Sequence, residues 1–446
     1  MDKVGRLGLM AVVAMLLGGA LEPASLAQQL PSGGTPAVQR QLSGFDPEVA
    51  TEAYLARLTP DQRSRSDRYF EGGYWLTVWN FLYGAAVALL LLATKLSVKM
   101  RDLAVRITRR PNLQTLLYWV QYLVLTSVLA FPLTVYQEFF REHAYGLSTQ
   151  SFGPWLGDQG KGLLVGAVLG ALAMMGVYAA VRRAQRTWWL WAAGISVAFL
   201  AFAAVIAPVF ITPLFNTYTP LADPGVREPI LRLARANGVP ATEVFVFDAS
   251  KQTTRISANV SGFLGTDRIS LNDNLLNRCS LPEIEAVMAH EIGHYALHHT
   301  TELILQFGLL IVAGFALLRL AFDKVCARWG ERWGIGGVAD VAALPLMIFL
   351  LSAFFFLATP ISNTIIRSNE VEADIFALNA ARQPEGFAEA SLKLAEYRKL
   401  APGPLEEFLF FDHPSGRSRI LMAMRWKAEN LPPVLDAPLP QIGRKP

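Results

Sequence analysis

Cysteine is scarce in this sequence. The 446 residues contain only Cys279 and Cys326, which do not form a CxxC pair. Two cysteines are too few for a disulfide scaffold or for a cysteine-rich zinc site. We therefore interpret them as two unrelated thiols.

Charged residues are also few. They make up 17% of the chain, whereas soluble domains have roughly 25%, and hydrophobic residues make up 52%. The net charge is only +4, and the basic residues stand beside apolar runs rather than in aromatic-rich basic patches. This composition argues against nucleic-acid binding and indicates a chain embedded in a membrane.

Six apolar segments are long enough to span a membrane, because about 20 helical residues cross roughly 30 Å of hydrocarbon. Four of them form a membrane region over 74–212, and two form a membrane hairpin over 303–366. Their approximate bounds are 74–97, 114–137, 161–181, 187–212, 303–321 and 341–366. Two polar blocks, 213–302 and 367–446, lie between and after them.

The first 73 residues precede these segments. Residues 1–27 combine a basic start, an apolar stretch and small residues, which is typical of a signal peptide. An uncleaved first membrane helix is the alternative. Residues 28–73 are polar and predict an exported linker.

Positive charge predicts the orientation. Basic residues follow the 74–97 and 161–181 segments and recur between residues 322 and 339. If all six segments span, these loops share one side, which the positive-inside rule assigns to the cytoplasm. We therefore predict an integral protein of the bacterial inner membrane whose polar blocks face the periplasm.

The first polar block predicts a small α+β unit. Residues 223–237 have helical apolar spacing and end at a Gly-Val-Pro stop signal. Residues 244–247 predict a short buried strand. Residues 255–276 predict a hairpin or meander with its turn at 262–265 and a returning strand at 268–271.

The central chemical motif is His-Glu-Ile-Gly-His at residues 290–294. Two histidines four residues apart lie on one face of a helix, so His290 and His294 can both reach one zinc ion. Glu291 then lies beside the water that the metal activates and is the candidate general base. A capping box from Ser280 to Glu283 predicts where this helix begins.

A catalytic zinc needs a third protein ligand and an open position. His298 and His299 are expected to follow on the same helix, but ligands taken from one helix give poor tetrahedral geometry. Residues 367–374, Arg-Ser-Asn-Glu-Val-Glu-Ala-Asp, offer a better candidate. There Glu370 can complete the site, and Asp374, on the same face, can accept the N–H of a ligating histidine.

The helical positions of two residues near Glu370 predict whether they contribute to the metal site. Asn363 precedes it by seven residues and shares its face, so we expect Asn363 to support the metal site. Glu372 lies about 200° round the helix and is expected to point elsewhere. A solvated charge cluster at a membrane boundary is the alternative interpretation of this segment.

The pair HEIGH and RSNEVEAD resembles the M48 metallopeptidases, the family of the CAAX prenyl protease and the membrane heat-shock protease. The likeness spans roughly residues 60–425 and is nearest to the CAAX protease branch. Further matching segments stand at 213–221, 249–276, 360–363 and 413–420. By this resemblance Glu370 is the third ligand, and His413 is a transition-state stabiliser near the metal. Arg419 is implied to be a structural or a substrate-carboxylate contact.

The resemblance also implies a substrate strand. Ser257, Ala258 and Asn259 stand where the CAAX protease branch has Asn-Ala-Tyr. Strand addition uses the substrate's backbone, so this change leaves peptide binding possible and alters the expected side-chain specificity. A second departure, Ile366-Arg367-Ser368 in place of Ser-Arg-Arg, precedes the third ligand.

We predict a mainly α, polytopic membrane protein with a split zincin-like α+β metallopeptidase region and one zinc ion per chain. It is expected to contact membrane lipids and to hydrolyse peptides or proteins in the manner of the CAAX protease. A quality-control protease of membrane or exported proteins is one alternative, favoured by the exported polar blocks. A non-catalytic, zinc-stabilised scaffold or chaperone is the other, and an intact Glu291 argues against it because a structural site has no use for a base.

Overall fold

A computed structural model describes residues 45–261 and 268–431 of the chain. The predicted signal peptide, the first part of the linker and the predicted turn at 262–265 lie outside the described residues.

Long helices form the first part of the molecule. In lipid only a helix or a closed barrel satisfies every backbone N–H and C=O group, so the apolar segments fold as helices. In chain order the helices are α1 (Pro47–Leu55), α2 (Pro60–Ala93), α3 (Leu96–Ile107), α4 (Pro111–Ala144), α5 (Phe152–Arg183) and α6 (Trp188–Phe210). The helix α4 continues through a π-helical stretch at Val135–Phe140.

A small mixed sheet follows these helices. The elements are β1 (Tyr218–Pro220), α7 (Pro224–Ala236), β2 (Val244–Phe247), β3 (Ala258–Ser261), β4 (Arg268–Asn272), α8 (Asp273–Arg278) and α9 (Leu281–Ala296). The strands predicted at 244–247 and 268–271 are both present. The strands lie in the order β1-β2-β4-β3, with β2 and β4 parallel and the other pairs antiparallel, so β3 is an edge strand of the described sheet.

One face of the sheet packs against two helices. Fully buried apolar side chains of α7, β2, β4 and α9 form a continuous core, among them Ile230, Val244, Ile269 and Met288. This core holds the metal-motif helix α9 firmly against the sheet.

The second membrane part and the C-terminal helices complete the chain. They are α10 (His299–Trp333), α11 (Leu344–Leu357), α12 (Thr359–Ala381), α13 (Pro384–Lys393), α14 (Pro404–Phe410) and α15 (Gly416–Asn430). Single 3₁₀ turns occur at Thr212–Leu214, Ala249–Lys251, Val341–Ala343 and Leu394–Glu396. A second buried core, which includes Phe387, Ile420 and Met424, joins α1, α9, α12, α13 and α15.

Within the described residues, five helices are long and apolar enough to cross a membrane: α2, α4, α5, α6 and α10. The pair α11–α12 makes a sixth if it is one span, but it bends by 56° at Ala358. The sequence predicted an unbroken segment over 341–366. Pro360, in the first turn of α12, has no N–H to continue the preceding helix, so the chain restarts in a new direction. The bend directs α12 toward α9.

Ion pairs mark the two ends of the helical part. At one end Arg101 of α3 pairs with Asp340, just before α11, at 2.6 Å. At the other end Glu142 of α4 pairs with Arg255, next to β3, at 2.7 Å. The sheet therefore lies at the end opposite the basic segment that follows α2.

Candidate active site

The helix α9 carries the two motif histidines. Its capping box is formed, because the Glu283 carboxylate accepts from both the backbone N–H and the hydroxyl of Ser280. Lys393 of α13 pairs with the other carboxylate oxygen of Glu283 at 2.6 Å. With the helix start held in this way, the Nε2 atoms of His290 and His294 come within 3.1 Å of each other.

The helix α12 brings a carboxylate to these nitrogens. Glu370 places Oε2 at 3.2 Å from His290 Nε2 and Oε1 at 3.4 Å from His294 Nε2. The two helices approach closely where α9 has Gly293, because an added Cβ there would lie only 3.0 Å from the Phe376 ring. Glycine at this position therefore permits the three predicted ligands to meet.

The donor set suits a divalent metal ion. Tetrahedral bonds of about 2.0–2.2 Å set neighbouring ligand atoms about 3.3–3.6 Å apart. Here the two Nε2 atoms lie 3.1 Å apart, and each lies close to one oxygen of Glu370, His290 at 3.2 Å from Oε2 and His294 at 3.4 Å from Oε1. Glu370 is only 8% exposed, and its Oε2 has no hydrogen-bond partner among the described residues. Two imidazole nitrogens and one carboxylate leave a fourth position open, as in hydrolytic metal sites.

Asp374 supports this group from behind. It is fully buried, and its Oδ1 lies 2.8 Å from His290 Nδ1, the nitrogen that faces away from Glu370. The same oxygen accepts from the Arg419 guanidinium. Sequence reasoning placed Arg419 among the substrate contacts, with a structural role as the alternative; the structure pairs its charge with Asp374. The Arg419 and His290 contacts hold the pKa of the Asp374 carboxyl low, although burial alone would raise it.

His413 lies at the edge of the same group. Its Nε2 is 3.3 Å from Glu370 Oε2, and its Nδ1 is 2.8 Å from Asp412 Oδ1. Asn363 was expected to support the metal site, and its side-chain amide donates to the Leu409 carbonyl oxygen at 2.8 Å. Asn363 thus holds the end of α14, from which the chain leads into His413.

His299 is a neighbour that sequence reasoning misplaced. The residues Leu297 and His298 end α9, and His298 has a left-handed backbone (φ 59°), so His299 begins a new helix instead of continuing the old one. This break turns the His299 ring toward His294, and their Nδ1 atoms lie 2.9 Å apart. Glu372, expected to point away from the metal ligands, lies 3.5 Å from His299 Nε2.

A cavity of 280 Å³ opens beside these side chains. Glu291 lines it, and burial raises the pKa of the Glu291 carboxyl. The start of the edge strand also lines it through Ser257 and Ala258, whereas Asn259 is not among the lining residues.

The opposite wall of the cavity includes Arg398. The Nη1 atom of Arg398 is inaccessible to solvent and has no hydrogen-bond partner among the described residues. The sequence analysis did not identify Arg398 as a candidate site residue. Arg398 lies in the loop between the 3₁₀ turn at Leu394–Glu396 and the helix α14, and no local sequence pattern distinguishes it from a surface arginine.

Two family models and several known proteins are similar to this chain. Residues 220–427 match the family model described as Peptidase family M48, and residues 47–217 match the model of the CAAX prenyl protease N-terminal region, five membrane helices. The chain is 31% identical over 295 residues to the uncharacterized metalloprotease YhfN of Bacillus subtilis, covering 66% of this chain and 69% of that protein. It is 28% identical over 315 residues to CAAX prenyl protease 1 of Saccharomyces cerevisiae, with coverage of 66% and 69%. The crystal structure of S. mikatae Ste24p has the same fold, with a TM-score of 0.70 at 22% identity, over 87% of this chain and 96% of that one.

Proposed function

This chain belongs to peptidase family M48, and we propose that it is a zinc-dependent membrane endopeptidase whose metal is held by His290, His294 and Glu370. Membership in the family makes it a metalloendopeptidase that acts on peptides or proteins. The observation that carries the zinc assignment is the close approach of two Nε2 atoms and one carboxylate at tetrahedral spacing. Nitrogen and carboxylate donors of this kind are common zinc ligands.

Glu291 is the proposed general base. When bound, zinc supplies Lewis-acid polarisation of the scissile carbonyl and makes water more acidic. A Glu291 carboxylate oxygen takes the proton of the attacking water and later gives it to the leaving amine. The raised pKa of Glu291 suits this role, because the carboxyl must hold the proton between the two steps.

His413 is the proposed stabiliser of the transition state. Asp412 contacts Nδ1 of His413 and so fixes the ring with Nε2 turned toward Glu370 and the metal ligands. A donor fixed beside the metal ligands stabilises the negative charge that develops on the carbonyl oxygen.

The substrate backbone is proposed to lie along the edge strand β3. An edge strand has unpaired backbone groups, and an extended peptide can add to it as a further strand. Ser257 and Ala258 open into the cavity at the start of this edge. Arg398, rather than Arg419, is the guanidinium free to bind a carboxylate of the substrate, because the Arg419 charge is already paired.

The test of the base is Glu291→Gln. The variant is expected to bind zinc as the wild type does and to cleave peptides roughly 100- to 10,000-fold more slowly, the usual contribution of a general base. Glu285→Gln is a matched control on the same helix, since Glu285 accepts from Gln383 outside the cavity. Zinc-loaded Glu291→Gln that cleaves at the wild-type rate would refute the assignment.

We further propose that the active site faces the periplasm of a bacterial inner membrane. The basic segment after α2 lies at the end of the helical part opposite the sheet, and basic loops mark the cytoplasmic side. The CAAX-protease-like activity implied by the relatives then has an alternative, the removal of faulty membrane or exported proteins, because CAAX substrates arise in the cytosol. Alkaline phosphatase fused after α15 should be active, and a fusion in the segment between α2 and α4 should not; the reverse pattern contradicts this orientation.

A further inference from the structure

A second cluster of ligand-type side chains lies beside the proposed zinc site. His299 and Glu302 are one turn apart at the start of α10, and Glu372 lies on α12, two residues after Glu370. One ligand atom from each of His299, Glu302 and Glu372 falls within 4.8 Å of the other two. None of these three side chains belongs to the zinc ligands proposed above.

His299 carries the observation that points to a ligand. It is 1% exposed, and its Nε2 is buried without a hydrogen-bond partner among the described residues. The other ring nitrogen, Nδ1, is occupied by His294 at 2.9 Å. Leaving a buried polar atom unpaired costs free energy, so an unpaired nitrogen aimed at carboxylates calls for a partner.

The two carboxylates lack compensating positive charge. Glu372 is exposed and Glu302 is half-buried, and neither forms an ion pair with a lysine or arginine among the described residues. Gln306 donates to Glu302 Oε1 at 2.8 Å and so orients that carboxylate on the helix surface. The cluster therefore brings two carboxylates without a cationic partner and one imidazole nitrogen, His299 Nε2, to one place.

The proton positions are compatible with a cation here. If His294 held zinc through Nε2, its ring proton would be on Nδ1, and that N–H would donate a hydrogen bond to His299 Nδ1. The remaining proton of neutral His299 lies on Nε2, 3.5 Å from Glu372 Oε2. A metal ion at Nε2 takes the place of that proton, which is released to solvent, while the bond from His294 is kept.

We propose that His299, Glu302 and Glu372 form a second, solvent-exposed site for a divalent transition-metal ion such as Zn²⁺ or Mn²⁺. One imidazole and two carboxylates suit these ions, and water completes the coordination. The ring of His299 links the two sites: a cation on Nε2 makes Nδ1 a weaker acceptor for His294. Occupation of the second site therefore lowers the affinity of the first for zinc, and the effect is reciprocal.

The experiment measures metal content rather than activity alone. Full-length protein in detergent, loaded with one equivalent of zinc, is dialysed against buffers of increasing free zinc, and bound zinc per chain is determined. A parallel titration of the zinc-loaded protein with Mn²⁺, followed by electron paramagnetic resonance, reports the second site directly. Wild type is expected to bind a second ion, and the variant Glu302→Gln/Glu372→Gln to bind it at least about tenfold more weakly. Glu429→Gln, which changes an exposed glutamate on α15, should behave as wild type.

Each outcome is informative. A second ion that binds equally well to the double variant overturns the proposal. So does a single ion held alike by wild type and double variant with no second ion in the wild type, and Glu372 is then only a hydrogen-bond acceptor for His299. The proposal rests on the proposed zinc site through the His294 contact. Failure of that site is distinguishable, because it removes the first equivalent from wild type and variant alike.

Discussion

Asp374 has two effects that substitutions can separate: its oxygen positions His290, and its negative charge neutralises the buried Arg419 guanidinium. It is fully buried, and a single oxygen, Oδ1, contacts both His290 Nδ1 and the Arg419 guanidinium. An asparagine keeps a carbonyl oxygen in that place and loses the charge. An alanine loses the charge and the hydrogen bond together. The two substitutions should therefore differ in metal affinity and resemble each other in stability.

The expected magnitudes follow from burial. Removing one partner of a buried ion pair costs about 3–5 kcal/mol, because the other charge stays buried and unpaired. A loss of this size lowers the unfolding temperature by on the order of 10 °C. Loss of a histidine's outer hydrogen bond weakens metal binding about 10- to 100-fold. We expect Asp374→Asn near the lower end of that range and Asp374→Ala near the upper end.

A double variant identifies the cause of the stability loss. Asp374→Asn combined with Arg419→Met removes the unpaired charge and keeps a side chain of similar length. Its unfolding temperature should recover most of the loss, because a buried ion pair can be replaced by apolar groups at little cost, while zinc affinity stays at the level of Asp374→Asn.

Both quantities can be measured on purified protein in detergent. A thiol-reactive fluorophore reports unfolding through the partly buried Cys279 and Cys326, and a chelating dye competes for zinc. Wild-type zinc affinity in Asp374→Ala would show that Asp374 does not position His290. A double variant as unstable as the single one would show that packing, not charge, causes the loss.

Three further predictions concern the cavity wall and the helices around it. Arg398→Gln should raise KM about 10- to 100-fold for peptides whose carboxylate Arg398 binds, since hydrogen bonds to charged groups contribute about 1.5–3 kcal/mol, and kcat should change little. The control is the same peptides with that carboxylate converted to an amide, and an equal rise in KM for both sets would refute this role. Gly386→Ala sets a Cβ 2.4 Å from a backbone carbonyl at the start of α9, so it should destabilise the fold by about 1–3 kcal/mol, whereas Gly73→Ala meets nothing within 4 Å and should not lower the unfolding temperature. Burial alone would raise the pKa of the Glu283 carboxyl, but the bond from Lys393 outweighs burial and holds this pKa below its usual value. The stability that the Glu283 carboxylate contributes is therefore present above about pH 4.5 and is lost as the pH falls through the folded-state pKa. The difference in unfolding temperature between metal-free wild type and metal-free Glu283→Gln should then be constant at neutral pH and become smaller in acid. A difference that stays constant down to about pH 3 would contradict this prediction.

Local geometry made much of the fold predictable. The apolar segments match the thickness of a bilayer, and in lipid such segments fold as helices whatever surrounds them. The strand at Val244–Phe247 and the helix start at Ser280 likewise depend on neighbours within a few residues. The break at Ala358 was missed because apolar composition continues through it, and only Pro360 signalled a new helix.

The candidate site, like the fold, could be predicted from the sequence only in part. His290 and His294 share a face, as do Glu370 and Asp374, because of the helical period alone. The same period places Asn363 on the face of Glu370, but it does not reveal what that side chain contacts, which is the Leu409 carbonyl oxygen at the end of α14.

The sequence by itself determined which side chains each helix presents on one face, because those relations follow from 3.6 residues per turn. Only the tertiary structure decided which faces meet. The close approach of α9 and α12 at Gly293 brings Glu370 to the two histidines, and the left-handed turn at His298 directs His299 toward His294. Long-range packing also pairs Arg419 with Asp374 and leaves Nη1 of Arg398 without a hydrogen-bond partner among the described residues. Contacts between elements distant in the chain depend on the packing of the whole core, and no local pattern encodes them.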